Sequence, residues 1–129
     1  MPRSTATVWF GRVMWLGIAA NLALALPTLV SPRAMLEAVG MPVPSVIMWT
    51  RFAALLLILL SVFYMPAAID PVRNRTIAVL AVASRMAGVL FFFLIHRDYW
   101  IFGAFDLAFF VPEGILLMRI PRFEYPPRP

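Results

Sequence analysis

The chain has 129 residues, of which 63% are hydrophobic and only 13% charged, about half the charged share of a soluble globular domain. Its formal net charge of +5 rests on eleven arginines and no lysine; the arginines sit at the ends of apolar blocks rather than in a solvated patch, which argues against nucleic acid as a partner. Cysteine is absent, so disulfides, thiolate nucleophiles, iron–sulfur clusters and cysteine-ligated zinc are excluded.

The apolar residues fall into four long blocks, about Val8 to Val30, Val46 to Ala68, Thr76 to Ile95 and Tyr99 to Ile120. Each supplies the roughly 20 residues that about 30 Å of hydrocarbon requires at 1.5 Å per residue. The expected fold is therefore all-α, an integral membrane four-helix bundle in one domain covering residues 1–129. Between the first two spans, Ser31 can cap and Pro32 suits the first position of a short helix over about residues 32–39, which Gly40 can end. This helix is expected to lie at the membrane surface. Pro66 and Pro71 bound the turn after the second span, His96-Arg97-Asp98 makes a tight hairpin before the fourth, and the proline-rich tail after Ile120 is expected to be extended.

With spans alternating in direction, Arg3, Arg73, Arg75, Arg119, Arg122 and Arg128 collect on one side and only Arg33 and Arg97 on the other. The positive-inside rule then puts both termini in the cytoplasm of a bacterium, with the protein multi-pass in its inner membrane. Trp9 and Tyr64 fall at the inner interface and Trp49, Tyr99 and Trp100 at the outer one, as an aromatic belt requires.

Ionisable residues inside the spans are costly in hydrocarbon and need partners, water or a route to the interface. By helical rise, Arg85 lies roughly 13 Å and Glu113 roughly 10 Å from the inner boundary, an expected pair. Nearer the outer side, Arg51 at roughly 6 Å and Asp106 at roughly 10 Å form a second expected pair, with Asn21 at their level. Asp106 and Glu113 are two helical turns apart and share one face of the fourth span with Tyr99, Gly103 and Phe110. Ala78, Ala81, Gly88 and His96 share the face of Arg85 on the third, where small residues let a neighbouring helix approach. Arg12 is close enough to the inner boundary to snorkel. These polar layers either hold the helices in register, or line a cavity for a polar head group, or carry protons.

His96 is the only histidine, so a bis-histidine haem within the chain is impossible and a metal site lacks nitrogen ligands. It reads as an interfacial residue, or as a single axial ligand to a partner's pigment or haem. No P-loop, dinucleotide fingerprint, zinc-protease helix or serine elbow is present, and no catalytic residue is assigned.

An arginine opening the second span ("WTRFAALLLILLS"), a Tyr and then Asp-Pro closing it, "SRMAGVLFF" in the third and an intramembrane aspartate in the fourth ("FGAFDLAFFVPEG") resemble the DoxX-like group of small four-helix membrane proteins. The resemblance implies an accessory place beside a membrane quinone oxidoreductase and marks Arg51, Arg85 and Asp106 as positions of interest. The leading expectation is an accessory or structural subunit of an inner-membrane redox or energy-converting complex, respiratory or photosynthetic, which contacts lipids and other membrane subunits. No intrinsic cofactor is expected, only contact with quinone, lipid or a partner's pigment. The alternative is a small carrier, or a protein that binds quinone or a lipid head group through the buried arginine and acid layer.

Overall fold

A computed structural model describes residues 3–122. The tail expected to be extended, with Arg128 in it, lies outside the described residues apart from its first two positions. Helix α1 spans Thr5–Val30, α2 Pro32–Ala38, α3 Ile47–Ile69, α4 Arg75–Leu90 and α5 Trp100–Arg119. A π-helical turn, Phe91–Ile95, prolongs α4, and a 3-10 turn, Arg97–Tyr99, leads into α5. Among the described residues there is no strand, and four of the helical segments are long and apolar enough to cross a membrane. The protein is thus all-α and multi-pass, with spans within a few residues of those expected from the apolar blocks.

Local chemistry sets the ends. Ser4, in extended conformation, accepts the Thr7 N–H at 3.2 Å and starts α1. Ser31 does not cap α2 through its side chain as expected. Its backbone N–H instead closes α1 on the Pro27 carbonyl at 2.7 Å, leaving the hydroxyl outside the capping geometry. Pro32 does take the first position of α2, and Gly40, at φ +71°, follows that helix in the left-handed conformation that glycine adopts without strain.

Pro66 does not bound the turn after the second span: α3 runs through it to Ile69. Proline removes a donor but keeps its carbonyl, and the Pro66 carbonyl accepts from the Asp70 N–H and the Asn74 side-chain amide, both at 3.0 Å. Asp70 Oδ1 in turn accepts the Arg73 N–H at 3.1 Å, so the reversal is an Asp70 to Asn74 turn. Arg3 straps the chain start to it, donating to the Ile69 carbonyl at 2.9 Å.

The spans form a ring in the order α1, α3, α4, α5, with α1 packed on α3 and α5, and α4 packed on α3 and α5. Helices α1 and α4 therefore face each other across one diagonal, and α3 and α5 across the other. The buried face of α1 recurs every seven residues at Thr7, Met14, Asn21 and Thr28, a seam period suited to shallow helix crossing. It comes close to α3 at Gly11, where a Cβ would lie 2.8 Å from the Ala68 carbonyl oxygen.

The apolar core occupies the end of the bundle near the termini: Phe10, Met14 and Ile18 meet Tyr64, Ala67 and Ala68, Ala78 and Ala81, and Leu117. Tyr64 lies inside this cluster, so it is not part of an interfacial belt. A tyrosine facing three other helices is covered by protein at whatever depth it sits. Trp9, Trp49 and Trp100 do face outward at the span ends, and Arg12 lies exposed, its guanidinium carbon 5.0 Å from the Trp9 ring centroid.

Substituting Gly11→Val should push α1 from α3 against a backbone atom that cannot rotate away. The expected loss is about 1–3 kcal/mol, read as an earlier transition when the detergent-solubilised protein is unfolded with increasing dodecyl sulfate; an unchanged transition would show the α1–α3 contact to be slack.

Candidate functional site

The α4 face formed by Ala78, Ala81 and Arg85 points into the bundle, and Arg85 stands about 15 Å along the helix from Arg75 by helical rise. Its side chain is only 5% exposed. From α5, Gly103, Glu113 and Leu117 are buried on the inward face and Asp106 lies between them, as the seven-residue spacing of the acids requires. From α1, Asn21 is fully buried.

Arg85 Nη1 donates to Asp106 Oδ1 at 2.9 Å and to Asn21 Oδ1 at 3.0 Å. The first contact is a charge-assisted pair between ring neighbours, and the second crosses the bundle diagonal from α4 to α1. The guanidinium carbon also lies 5.5 and 5.0 Å from the ring centroids of Phe105 and Phe109, whose π faces add a favourable electrostatic contact for a desolvated cation.

Two glycines make this geometry possible. A Cβ at Gly88, one turn beyond Arg85, would collide with the Asp106 carboxylate, so the acid occupies the slot that the missing side chain leaves on α4. A Cβ at Gly17 would lie 3.1 Å from Arg85 Nη2, 3.2 Å from Glu113 Oε1 and 3.3 Å from Phe109 Cδ1. Gly17 is thus the floor on which the guanidinium and the second acid meet α1.

Neither expected pair forms. Arg85 is bonded to Asp106 rather than Glu113, because the Gly88 slot admits the Asp106 carboxylate on the face of α4 that carries Arg85; depth along the axis ignores such a slot. Asn21 joins that pair. Arg51 does not pair with Asp106, since it is exposed on α3, which stands diagonal to α5. His96 leaves the Arg85 face, because the π-helical turn before it shifts the angular register of the helix. It is exposed, with its ring 5.0 Å from that of Phe91.

Glu113 is 1% exposed, and neither carboxyl oxygen has a hydrogen-bond partner among the described residues. Asn21 Nδ2 and Arg85 Nε are likewise buried and unpartnered there. The centre holds one arginine and two carboxyl groups at a depth where lipid cannot supply a counter-charge. Asp106 balances the arginine, and Glu113 is left without a hydrogen-bond partner among the described residues. No group of three or more potential metal-ligating His, Cys, Asp or Glu side chains occurs among the described residues.

Gly17, Phe105 and Phe109 belong to the site although the sequence reading did not select them. Gly17 was findable, being four residues before Asn21 on the same helix face; Phe105 and Phe109 are one turn apart and bracket the Asp106 side of α5. No family model, curated protein or solved structure matches the chain. What can be said of the site comes from its own chemistry.

Replacing Arg85 by Met leaves Asp106 as a buried charge without its cation and should destabilise the protein by about 3–5 kcal/mol. The double substitution R85M/D106L should recover most of that loss, and Gly88→Ala should act in the same direction as R85M by expelling the Asp106 carboxylate. Reversible unfolding in mixed micelles measures all three; a double variant no more stable than R85M would show that the two side chains do not act as a pair.

Proposed function

We propose that this multi-pass protein is a small proton-handling carrier of the bacterial inner membrane, in which Glu113 takes up and releases a proton beside the Arg85–Asp106–Asn21 centre. One observation carries the reading: Glu113 is almost completely buried and, among the described residues, accepts no hydrogen bond, next to an arginine already neutralised by another acid. An ionisable group at this depth is a functional site by default, because hydrocarbon penalises its charge unless something binds to it. A proton is the species that fits a carboxyl group with almost no surface exposure. Asn21 Nδ2 and Arg85 Nε offer spare donors at the same level, which suits water that would relay the proton. Arg3, Arg73, Arg75, Arg119 and Arg122 gather at the end bearing the termini, which favours a cytoplasmic location for that end.

Infrared difference spectroscopy of the reconstituted protein between acid and alkaline buffer tests this. The wild type should show a carboxylic C=O band that changes with pH and disappears in Glu113→Gln, while the amide bands of the helices stay unchanged. A difference spectrum that E113Q leaves intact would sink the assignment.

A second reading, the accessory subunit of a larger redox or energy-converting complex that the DoxX-like resemblance implies, is favoured by a separate observation. In the most apolar stretches of α4 with its π turn and of α5 with its 3-10 turn, only 17% of residues are buried within the chain, against 33% in α1. Those faces are left for lipid or for other membrane subunits. Purification of the native protein in gentle detergent, followed by intact-complex mass, separates the cases: a large pigmented or haem-containing assembly supports the subunit, and a colourless particle of one or a few copies supports the carrier.

A further inference from the structure

At the end of the bundle opposite the termini, the close of α1, the short α2 and the first turn of α3 enclose an open groove of about 420 Å³. Val30 and Ile47 supply apolar wall, and Arg33, Glu37 and Arg51 supply charge. Among the described residues none of these three charged side chains makes an ion pair or a hydrogen bond, although Arg33 and Glu37 are one helical turn apart on α2. Val30 ends one apolar span and Ile47 begins the next, so the groove opens at the level where hydrocarbon gives way to lipid head groups.

Two guanidinium groups at that boundary, with no carboxylate bonded to either, call for an anion with several oxygens. A phosphodiester meets the need, because each planar guanidinium can direct paired N–H groups at it. The same groove carries Glu37, which repels a second negative charge and accepts a primary ammonium. Two positive groups and one negative group lining one groove match a phosphate with an ammonium two carbons away.

We propose that this groove binds the head group of a phosphatidylethanolamine, its phosphate between Arg33 and Arg51, its ammonium on Glu37 and an acyl chain along Val30 and Ile47. The bound lipid would hold α2 against the bilayer surface. It explains why Arg51, one turn inside α3, needs no acidic partner from the protein.

The test uses the full chain in detergent, titrated with defined phosphatidylethanolamine or phosphatidylglycerol and read by native mass spectrometry as lipid-bound fraction. Wild type should retain phosphatidylethanolamine in preference to phosphatidylglycerol. Removing one arginine's charge-assisted bonds should weaken that retention about tenfold, so R33Q and R51Q should each lose most of the adduct. Glu37→Gln should keep phosphatidylglycerol bound and abolish the preference between the two lipids. Because E37Q is expected to lower phosphatidylethanolamine retention to that of phosphatidylglycerol while the phosphate still binds, it answers the question even if an arginine variant folds poorly. Unchanged phosphatidylethanolamine retention in the folded R33Q/R51Q protein would overturn the site, and a wild-type preference for phosphatidylglycerol would overturn the occupant.

Discussion

A guanidinium held inside four apolar helices is the constraint on which the rest of this structure turns. Lipid cannot hydrogen-bond Arg85, which is almost completely buried, so the protein must supply its counter-charge and acceptors. Asp106 brings α5 to it and Asn21 brings α1 to it across the diagonal. Three of the four spans are thereby fixed in depth and rotation by one side chain. The glycines follow from the same demand: without the slots at Gly88 and Gly17, α5 and α1 would be held away from the charge they meet.

That centre divides the bundle into two unlike halves. Toward the termini the helices close on a continuous apolar cluster, drawn together by Gly11, Ala67, Ala68, Ala78 and Ala81, whose small side chains let backbones approach where no hydrophobic effect drives association. Toward the other end the packing is aromatic: Phe92 lies against Phe102, both Phe92 and Phe93 abut Gly103, and Tyr99 donates to the Pro42 carbonyl at 2.8 Å. The second of these halves contains the π-helical turn and the connection by α2, so it is the less regular one. Glu113 sits below the centre, sealed on the side of the apolar cluster, while Asp106 keeps 18% exposure on the aromatic side. The two acids thus differ in access as well as in pairing.

The arginines of this chain meet hydrocarbon in three ways. Arg85 is neutralised by protein, Arg12 lies exposed against Trp9, and Arg51, on the lipid-binding proposal, is met by a phosphate. Each solution is set by depth. A long side chain within about a turn of the boundary can reach head groups, whereas one near the middle has only neighbouring helices to turn to.

Much of this was legible in the sequence. The bilayer fixes how long an apolar helix must be, so four blocks of suitable length defined four spans to within a few residues. The seven-residue spacing of Asp106 and Glu113 placed both acids on one face, and the small residues around Arg85 marked the α4 face that turns inward, because both inferences depend only on helical periodicity. What periodicity could not supply was the order of helices around the ring and the local breaks within them. Ring order set α3 diagonal to α5 and so separated Arg51 from Asp106; the Gly88 slot chose Asp106 over Glu113 for Arg85; the π turn rotated His96 away; and the carbonyl of Pro66 let α3 continue past a residue that reads as a stop. The sequence by itself determined the environment, the spans and the faces, since these are properties of one helix in a bilayer. Only the tertiary structure decided which charges meet and which carboxyl is left without a partner, since pairing depends on where separate helices stand relative to one another and on the space their side chains leave.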